Sequence, residues 1–363
     1  MTQTPETSRP ARRRNLRGVW WAGGLVGALI LVAAVAAIFV RLPYVVVSPG
    51  PVTALDEDVV QIEGVPTFDH DGELLLLTVS VSNRDPNPYR VLRGWLDDSM
   101  DVHPKDEFYG DEPPDDLRLL NTLLMSQSQD AAEAVALRAL GYDVEPVPSG
   151  VLVMGVEAAA QGKLRLGDVI VATDGVETLT ADAVGEAIRA HRPGDEIVFT
   201  VERLREPDST ETEQIEVTVV AGDRDGETFV GVALRTDVEL ADSPVEIRLD
   251  TREIGGPSGG LALTLAIIDE LSEGDLTGGE RIAVTGTIGL DGSVGPVGGV
   301  KQKTVAAREA GASLMIVPER EIEEARGNAG SLRVVGVDSI TEALQALVEV
   351  GGAPIEQPEQ LAA

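Results

Sequence analysis

The chain contains no cysteine and only three histidines, and both shortages exclude kinds of chemistry. Without cysteine there is no disulfide, no thiol nucleophile and no cysteine-ligated zinc. The histidines are far apart in the sequence, at His70, His103 and His191, and no His-Glu-x-x-His motif occurs. A histidine-ligated zinc hydrolase is therefore not expected. The sequence predicts neither a metal site nor any other cofactor.

Positive charge is also scarce. The 363 residues include 29 Lys and Arg against 61 Asp and Glu, which gives a net charge of −32 at pH 7. Nucleic acid is not an expected partner, because binding to it depends on neutralising phosphates. The 43% of hydrophobic residues is typical of a globular protein, and the length is sufficient for two or three domains with their own cores.

The first positive charges precede a long apolar run. Residues 1–18 contain five arginines against one glutamate, and residues 19–40 contain no charge. A helix of that length spans about 30 Å, the thickness of the hydrocarbon layer. We predict a cytoplasmic tail at 1–18, a transmembrane helix at 19–41 and, by the positive-inside rule, an extracytoplasmic location for the catalytic domain. A cleaved signal peptide is the alternative, since Ala34-Val35-Ala36 resembles a cleavage site, but its apolar part would be shorter.

The rest of the sequence predicts an α+β multidomain protein. Residues 42–120 contain short runs rich in valine and leucine between turn signals, which favours a β-rich juxtamembrane region. An amphipathic helix is predicted at about 117–140, and a second domain at 121–223 includes most of it. Residues 224–350 alternate short apolar strands with helices, which indicates a sheet covered by helices. Residues 351–363 are a predicted C-terminal tail.

Residues 140–222 resemble a PDZ domain. The resemblance depends on a Leu-x-x-Gly-Asp-x-Ile motif at 164–170, an Asp-Gly turn at 174–175 and a helix at 180–190. It implies a groove between a strand and this helix, where a peptide binds as an added strand. Leu140, Gly141 and Tyr142 are candidates for the loop that binds a terminal carboxylate. Alternatively, Gly141 only caps the preceding helix.

A serine between glycines is the sharpest chemical signal. The segment Gly255-Gly256-Pro257-Ser258-Gly259-Gly260 precedes an apolar run that is predicted to form a buried helix. Glycine permits positive φ and close backbone approach, proline limits flexibility, and a helix N-terminus offers N–H groups. These features suit a nucleophile beside an oxyanion hole. An ordinary serine in a helix-entry loop, or a phosphate loop, is the alternative, although a Walker A motif is not met.

Lysine is the more suitable base for this serine, because no histidine lies near it in the sequence. A second glycine-rich segment at 295–300 is followed by Lys301 and Lys303 at the start of a predicted helix. Burial, the helix dipole and a neighbouring positive charge all lower the pKa of a lysine. Residues two apart point to different sides of a helix. One lysine can therefore face Ser258 while the other is solvated.

Residues 230–350 resemble the proteolytic domain of Lon-type serine–lysine proteases in both motifs, their spacing and the order of strands and helices. The resemblance implies that Ser258 is the nucleophile, that Lys303 is the base and that Thr285, before a glycine, supports the dyad. The remaining supporting residues of the implied site are Gly256, Pro257 and Gly259. Three positions depart from the family pattern, with glycine at 255 and 259 and threonine at 287.

Lon proteases usually carry an ATPase module, whereas this sequence contains no Walker A motif. The combination of features resembles bacterial membrane-anchored, ATP-independent Lon-like proteases with a PDZ domain. It implies a serine endopeptidase that cleaves proteins or peptides outside the cytoplasmic membrane, with the PDZ domain capturing or gating substrates. It also implies a homo-oligomer formed through the protease domain. A membrane-tethered peptide-binding scaffold with an inactive protease domain is the alternative.

Overall fold

A computed structural model of the chain describes residues 31, 35–82, 84–110, 113–157, 160, 162–205, 211–240, 243–251 and 254–355. The predicted tail at 1–18 lies outside the described residues, and so does most of the transmembrane helix predicted at 19–41. Within the part of the chain that the structure describes, no helix is both long enough and apolar enough to cross a membrane.

The strands of the described residues lie between residue 44 and residue 337. In chain order the strands are β1 (Tyr44–Ala54), β2 (Val60–Glu63), β3 (Glu73–Val81), β4 (Asp101–Pro104), β5 (Val147–Val156), β6 (Val169–Thr173), β7 (Val176–Glu177), β8 (Glu196–Leu204), β9 (Thr212–Val220), β10 (Gly222–Arg224), β11 (Glu227–Phe229), β12 (Val232–Glu239), β13 (Glu246–Leu249), β14 (Arg281–Val284), β15 (Thr287–Ile288), β16 (Val294–Gly295), β17 (Leu314–Pro318) and β18 (Arg333–Val337).

Helices lie between these strands and after the last of them. In order they are α1 (Pro88–Leu96), α2 (Lys105–Tyr109), α3 (Pro114–Ala139), α4 (Ala181–Ala190), α5 (Gly260–Glu270), α6 (Val300–Glu309), α7 (Ile322–Ala329) and α8 (Ile340–Val348). Two short 3-10 turns, Pro257–Gly259 and Glu319–Glu321, precede α5 and α7.

The chain divides into two compact units. The described part of the smaller unit includes the start of β1, up to Val46, and residues Ser82–Phe108. In this unit the N–H of Leu42 donates to the carbonyl of Pro86 at 2.9 Å, just before α1. Helix α1 buries Val91 and Gly94 on one side. Its exposed side carries the large apolar residues Tyr89, Leu92, Trp95 and Leu96.

A sheet with the strand order β18-β17-β14-β3-β1 lies in the larger unit, which contains residues Val47–Val81 and Tyr109–Ala363. Strand β14 is parallel to both β3 and β17, and β1 is antiparallel to β3. Leu74 and Leu76 of β3 pack with α5, whereas Leu75 and Leu77 pack on the opposite face with α6 and α7. This alternation is typical of a strand buried on both faces, and it gives the sheet covered by helices that the sequence predicts.

Strands of the predicted juxtamembrane region therefore belong to the main sheet, where Leu74 of β3 lies opposite Ile282 of β14. Helix α3, which the sequence analysis grouped with the PDZ-like segment, packs against the same core through Met125 and Ala132. The domain boundaries at 120, 223 and 350 stay predictions.

A second sheet has the strand order β12-β5-β6-β8-β9, with β7 paired to β6. Helix α4 begins after Thr180, whose side chain accepts a hydrogen bond from the N–H of Ala183. The helix buries Val184 and Ile188 against this sheet, in a core that includes Phe199. The strand-strand-helix-strand pattern of the PDZ-like segment is thus present, with β12 as an additional edge strand.

Candidate active site

The serine of the glycine-rich segment lies on a tight turn before α5. Gly256 has φ of 88°, a left-handed conformation that favours glycine, and Pro257 occupies the first helical position. Ser258 is partly exposed, while α5 behind it is buried from Gly260 to Ile268. A hydroxyl on a rigid turn in front of a buried helix can approach a substrate without moving the backbone. We call residues 255–260 the nucleophile turn.

Close packing explains why glycines follow the serine. A Cβ atom added to Gly259 would lie 3.0 Å from Cδ1 of Leu76 on β3, so the alanine common in the family would need Leu76 to move. A Cβ atom on Gly260 would lie 2.6 Å from Oγ of Ser128 and 2.8 Å from Cγ2 of Ile288. The glycine at position 259, where the family often has alanine, therefore leaves room for the side chain of Leu76 on β3.

Lys303 lies one turn into α6, where its N–H donates to the carbonyl of Gly299 at 2.9 Å. Its side chain is only 2% exposed. The amine nitrogen Nζ lies 2.8 Å from Oγ of Ser258 and 2.9 Å from Oγ1 of Thr285. The structure therefore brings together the three residues that the resemblance to Lon proteases assigns to the dyad and its support.

The pKa of Lys303 is lowered from 10.5 to about 8 by burial of its amine. Both hydrogen-bond neighbours of Nζ, Ser258 and Thr285, are neutral hydroxyls, which do not favour the ammonium form as a carboxylate would. Burial suffices as the cause, so the charge of Lys301 is not needed. At slightly basic pH the amine is neutral and its lone pair can accept a proton.

Thr285 follows β14 and connects the two partners of the dyad. Its hydroxyl accepts a hydrogen bond from Lys303 and donates one to the carbonyl of Ser258 at 3.2 Å. The N–H of Gly286 donates to the same carbonyl at 3.0 Å. With one amine hydrogen directed at Thr285, the lone pair of a neutral Lys303 is available to the hydroxyl of Ser258.

Lys301 has a different environment on the same helix. It is partly exposed, and its backbone N–H lies 3.3 Å from Oε1 of Glu324 on α7. Lys303 is the lysine that contacts Ser258.

The three histidines have other partners. His70 contacts the carbonyl groups of Asp269 and Ser272 at the end of α5. His191 lies 3.1 Å from a carboxylate oxygen of Asp174 in the PDZ-like segment. In the smaller unit, His103 lies beside the ring of Phe108. None of these contacts involves Ser258. Within the described residues, no cluster of acidic or histidine side chains could hold a metal ion.

The Leu140-Gly141-Tyr142 segment ends α3. Gly141 has φ of 88°, and its N–H donates to the carbonyl of Arg138 at 3.0 Å. Leu140 packs against the core of the main sheet. These contacts are those of a helix C-cap, so the placement favours the alternative interpretation over a carboxylate-binding loop.

Strand β12 is the better candidate for the peptide-binding edge, and sequence reasoning missed it. A peptide that binds as an added strand needs a strand at the edge of a sheet. Strand β12 lies at one end of the second sheet, beside α4, where the N–H of Ala181 donates to Oγ1 of Thr236 at 3.0 Å. Gly231, with φ of 78°, precedes the strand. The signal in the sequence is the run Phe229-Val230-Gly231-Val232, which follows residues 140–222, the part that resembles a PDZ domain.

Helix α3 also contributes to the site. The carbonyl of Asn121 accepts a hydrogen bond from the N–H of Gly256 at 2.7 Å. Seven residues later, Oγ of Ser128 donates to the carbonyl of Pro257 at 3.1 Å. The nucleophile turn is therefore held from both sides, by Thr285 and by α3, although α3 lies more than 100 residues earlier in the sequence.

Comparisons with known proteins agree with both resemblances. The family model of the Lon protease (S16) C-terminal proteolytic domain matches residues 251–349, and the model of the PDZ domain matches residues 138–219. The predicted combination of a Lon-type proteolytic domain with a PDZ domain is thus confirmed.

Two Lon proteases are similar to this chain over less than a third of its length. The Lon protease of Phenylobacterium zucineum is 35% identical over 112 residues, which are 30% of this chain and 14% of that protein. The Lon protease of Heliobacterium modesticaldum is 36% identical over 109 residues, or 29% of this chain and 13% of that protein. The matched part of the chain therefore spans about a seventh of these relatives.

Among solved structures, the PDZ domain of the SdrC-like protein from Listeria monocytogenes is 25% identical. The alignment covers 25% of this chain and 93% of that one, with a TM-score of 0.21.

Proposed function

We propose that this chain, which carries a serine peptidase domain of the Lon type and a PDZ domain, is an endopeptidase that hydrolyses peptide bonds through Ser258 and Lys303. The observation that carries the proposal is the 2.8 Å distance between Nζ of Lys303 and Oγ of Ser258, combined with a lysine pKa of about 8. A buried amine with a pKa near 8 has a substantial neutral fraction at slightly basic pH, and the neutral form can activate a serine hydroxyl, which is otherwise a poor nucleophile.

The reaction follows from this geometry. Lys303 accepts the hydroxyl proton of Ser258 while Oγ attacks the carbonyl carbon of the substrate. The ammonium of Lys303 then gives this proton to the leaving amine as the peptide bond breaks, which produces an acyl-enzyme. Water attacks the ester with Lys303 again as the base, and the carboxylate product leaves as the serine hydroxyl is restored.

Backbone N–H groups beside Ser258 in the nucleophile turn would bind the oxyanion of each tetrahedral intermediate. The first two N–H groups of α5 have other partners, because Gly260 donates to the carbonyl of Pro257 and Leu261 to that of Gly286. The N–H of Gly256 has a different role, because it donates to the carbonyl of Asn121. Thr285 holds both the lysine amine and the serine carbonyl, so it keeps the dyad aligned through both steps.

Four features support the rest of the proposal. The absence of a Walker A motif supports activity without ATP. The uncharged run at 19–40, after five arginines, supports a membrane anchor with an extracytoplasmic protease. Helix α1 begins two residues after Pro86, whose carbonyl accepts a hydrogen bond from the N–H of Leu42. Its exposed apolar side therefore suits contact with the bilayer at the end of that anchor. The β12 edge would bind peptide substrates.

The test is cleavage of a labelled unfolded casein by the full-length protein in lipid nanodiscs, with Ser258→Ala as the inactive reference. New casein termini, identified by mass spectrometry, should appear in the presence of apyrase and EDTA. A scaffold with an inert protease domain would bind casein without producing termini. Equal cleavage by Ser258→Ala would refute the proposed mechanism.

A further inference from the structure

Two neighbouring residues of α3 contact two different parts of the larger unit. Gln127 reaches strand β12 of the PDZ domain, and Ser128 reaches the nucleophile turn. We propose that Ser128 is a positioning residue for Ser258, and that the hydrogen bond from Gln127 to Asp237 couples the nucleophile turn to the peptide-binding edge of the PDZ domain. The inference rests on the proposed function and adds regulation to that site.

The contact with the nucleophile turn is close and buried. Ser128 is 4% exposed, and its hydroxyl donates to the carbonyl of Pro257, the residue before the nucleophile. A Cβ atom on Gly260 would lie only 2.6 Å from Oγ of Ser128, so the helix lies directly against the turn. A displacement of α3 by a fraction of an ångström therefore has to displace the turn, and reaction rates fall steeply when a nucleophile is misplaced.

The side-chain amide of Gln127 makes a short hydrogen bond through its nitrogen, whereas its oxygen has no partner among the described residues. Nε2 of Gln127 donates to a carboxylate oxygen of Asp237 at 2.6 Å. Gln127 is 8% exposed, and among the described residues its Oε1 has no hydrogen-bond partner. A buried carbonyl without a partner destabilises the bonded arrangement. The bonded and the broken arrangements are therefore closer in free energy than they would be for a fully satisfied pair, as a two-state contact requires.

Asp237 lies on the strand that a bound peptide would extend. Its neighbour Thr236 already bonds α4, so the strand and the helix that border the groove meet at this point. A peptide added to β12 orders its backbone through main-chain hydrogen bonds. We therefore expect occupancy of the groove to favour the bonded state of Asp237, to fix α3 and to raise the turnover number.

The first experiment compares Ser128→Ala with Ser126→Ala, which makes the same change on an exposed part of the same helix. For Ser128→Ala we expect kcat on unfolded casein to fall about tenfold, the effect of one lost hydrogen bond, with KM within about twofold. Amide exchange of the nucleophile turn should accelerate. Ser126→Ala should match the wild type in both measurements. Equal behaviour of the two variants would overturn the positioning role of Ser128.

The second experiment tests the coupling with Asp237→Ala, which removes the acceptor, and Asp237→Asn, which retains an oxygen acceptor of the same shape. Asp237→Ala should accelerate amide exchange in the nucleophile turn, whereas Asp237→Asn should preserve its protection. A peptide ending in a free carboxylate, selected beforehand for binding to this protein, should raise the kcat of the wild type and of Asp237→Asn but not of Asp237→Ala. The same activation of all three would refute the coupling.

These measurements separate the inference from the proposed function. Loss of cleavage in Ser258→Ala, with no change in exchange or kcat in Ser128→Ala and Asp237→Ala, would leave the protease assignment standing and remove the coupling. If the wild type does not cleave casein, amide exchange still decides, because it needs no turnover. An unchanged nucleophile turn in both variants would then refute the coupling as well.

Discussion

Lys303 and Asp130 of the larger unit both change protonation near neutral pH, and they lie in contrasting surroundings. Burial lowers the pKa of Lys303 on α6 to about 8. Burial, followed by the charges of Asp237, Glu133 and Glu239, raises the pKa of Asp130 on α3 to about 7. The lysine adjoins neutral hydroxyls, so its titration concerns the dyad alone. The aspartate adjoins carboxylates of both α3 and β12, so its titration concerns the contact between this helix and this strand.

The two shifts act on stability in opposite directions. The pKa of Lys303 is lower in the folded chain than in the unfolded chain, so its stabilising contribution is present above about 10.5 and is lost as pH falls through about 8. The pKa of Asp130 is higher in the folded chain, so its contribution is present below about 3.8 and is lost as pH rises through about 7. A basic medium therefore favours the chemistry and weakens the contact between α3 and β12.

Removal of either member of the dyad should have the largest effect. Ser258→Ala and Lys303→Ala should each lower kcat by at least about 10³-fold, and the double variant should be no worse, because the two residues act as a unit. Casein turnover measures this, with thermal melts to check folding. Substantial activity in Lys303→Ala would show that the buried lysine is not the base. The contrast between a catalytic Lys303 and a structural Asp130 would then fail.

The next largest effect should be that of pH on turnover. Because Lys303 must be neutral, kcat/KM should rise about tenfold per pH unit below about pH 8 and level off above it. A rate profile from pH 6 to pH 10 on a short peptide substrate measures the midpoint. A midpoint near 10 would mean that the amine is solvated in the working enzyme, contrary to its 2% exposure.

A smaller effect, on stability, is expected when Asp130 is made neutral by substitution. Asp130 faces Asp237, Glu133 and Glu239, while Arg235 lowers the pKa of Asp237. The wild type should lose a few degrees of melting temperature between pH 5.5 and pH 8 through this site, and Asp130→Asn should lose less. Asp116→Asn, at an exposed position of the same helix, is the control. Identical pH slopes for wild type and Asp130→Asn would show that the cluster does not titrate in this range.

The same contrast separates what the sequence could predict from what it could not. Ser258 lies on a glycine-rich turn and Lys303 follows another one on α6, so the local pattern pointed to the serine and to a pair of lysines. The resemblance to Lon proteases then selected Lys303 from that pair. Ser128 and Leu76 approach the turn from segments more than 100 residues away, and nothing in their local sequence indicates the contact. Gly141 follows a helix, where a cap and a binding loop have the same local pattern, and only the packing of Leu140 favours the cap.

The parallel sheet shows the same limit. The leucine run of β3 predicted a strand, but its position beside β14 depends on contacts across 200 residues. The region at 42–120 was therefore predicted as a β-rich juxtamembrane region of its own, although β3 places Leu76 under the nucleophile turn.

The variant with the smallest expected effect tests what lowers the pKa of Lys303. Lys301→Ala removes a positive charge two residues from Lys303 but leaves the backbone N–H that faces Glu324. If burial alone lowers the pKa of Lys303, kcat at pH 9 should stay within about threefold of the wild type and the midpoint of the pH profile should not move. A midpoint that moves to higher pH in Lys301→Ala would show that repulsion between the two lysines contributes. An inactive Lys301→Ala with an active Lys303→Ala would instead assign the base to the partly exposed lysine, against the 2.8 Å contact between Lys303 and Ser258.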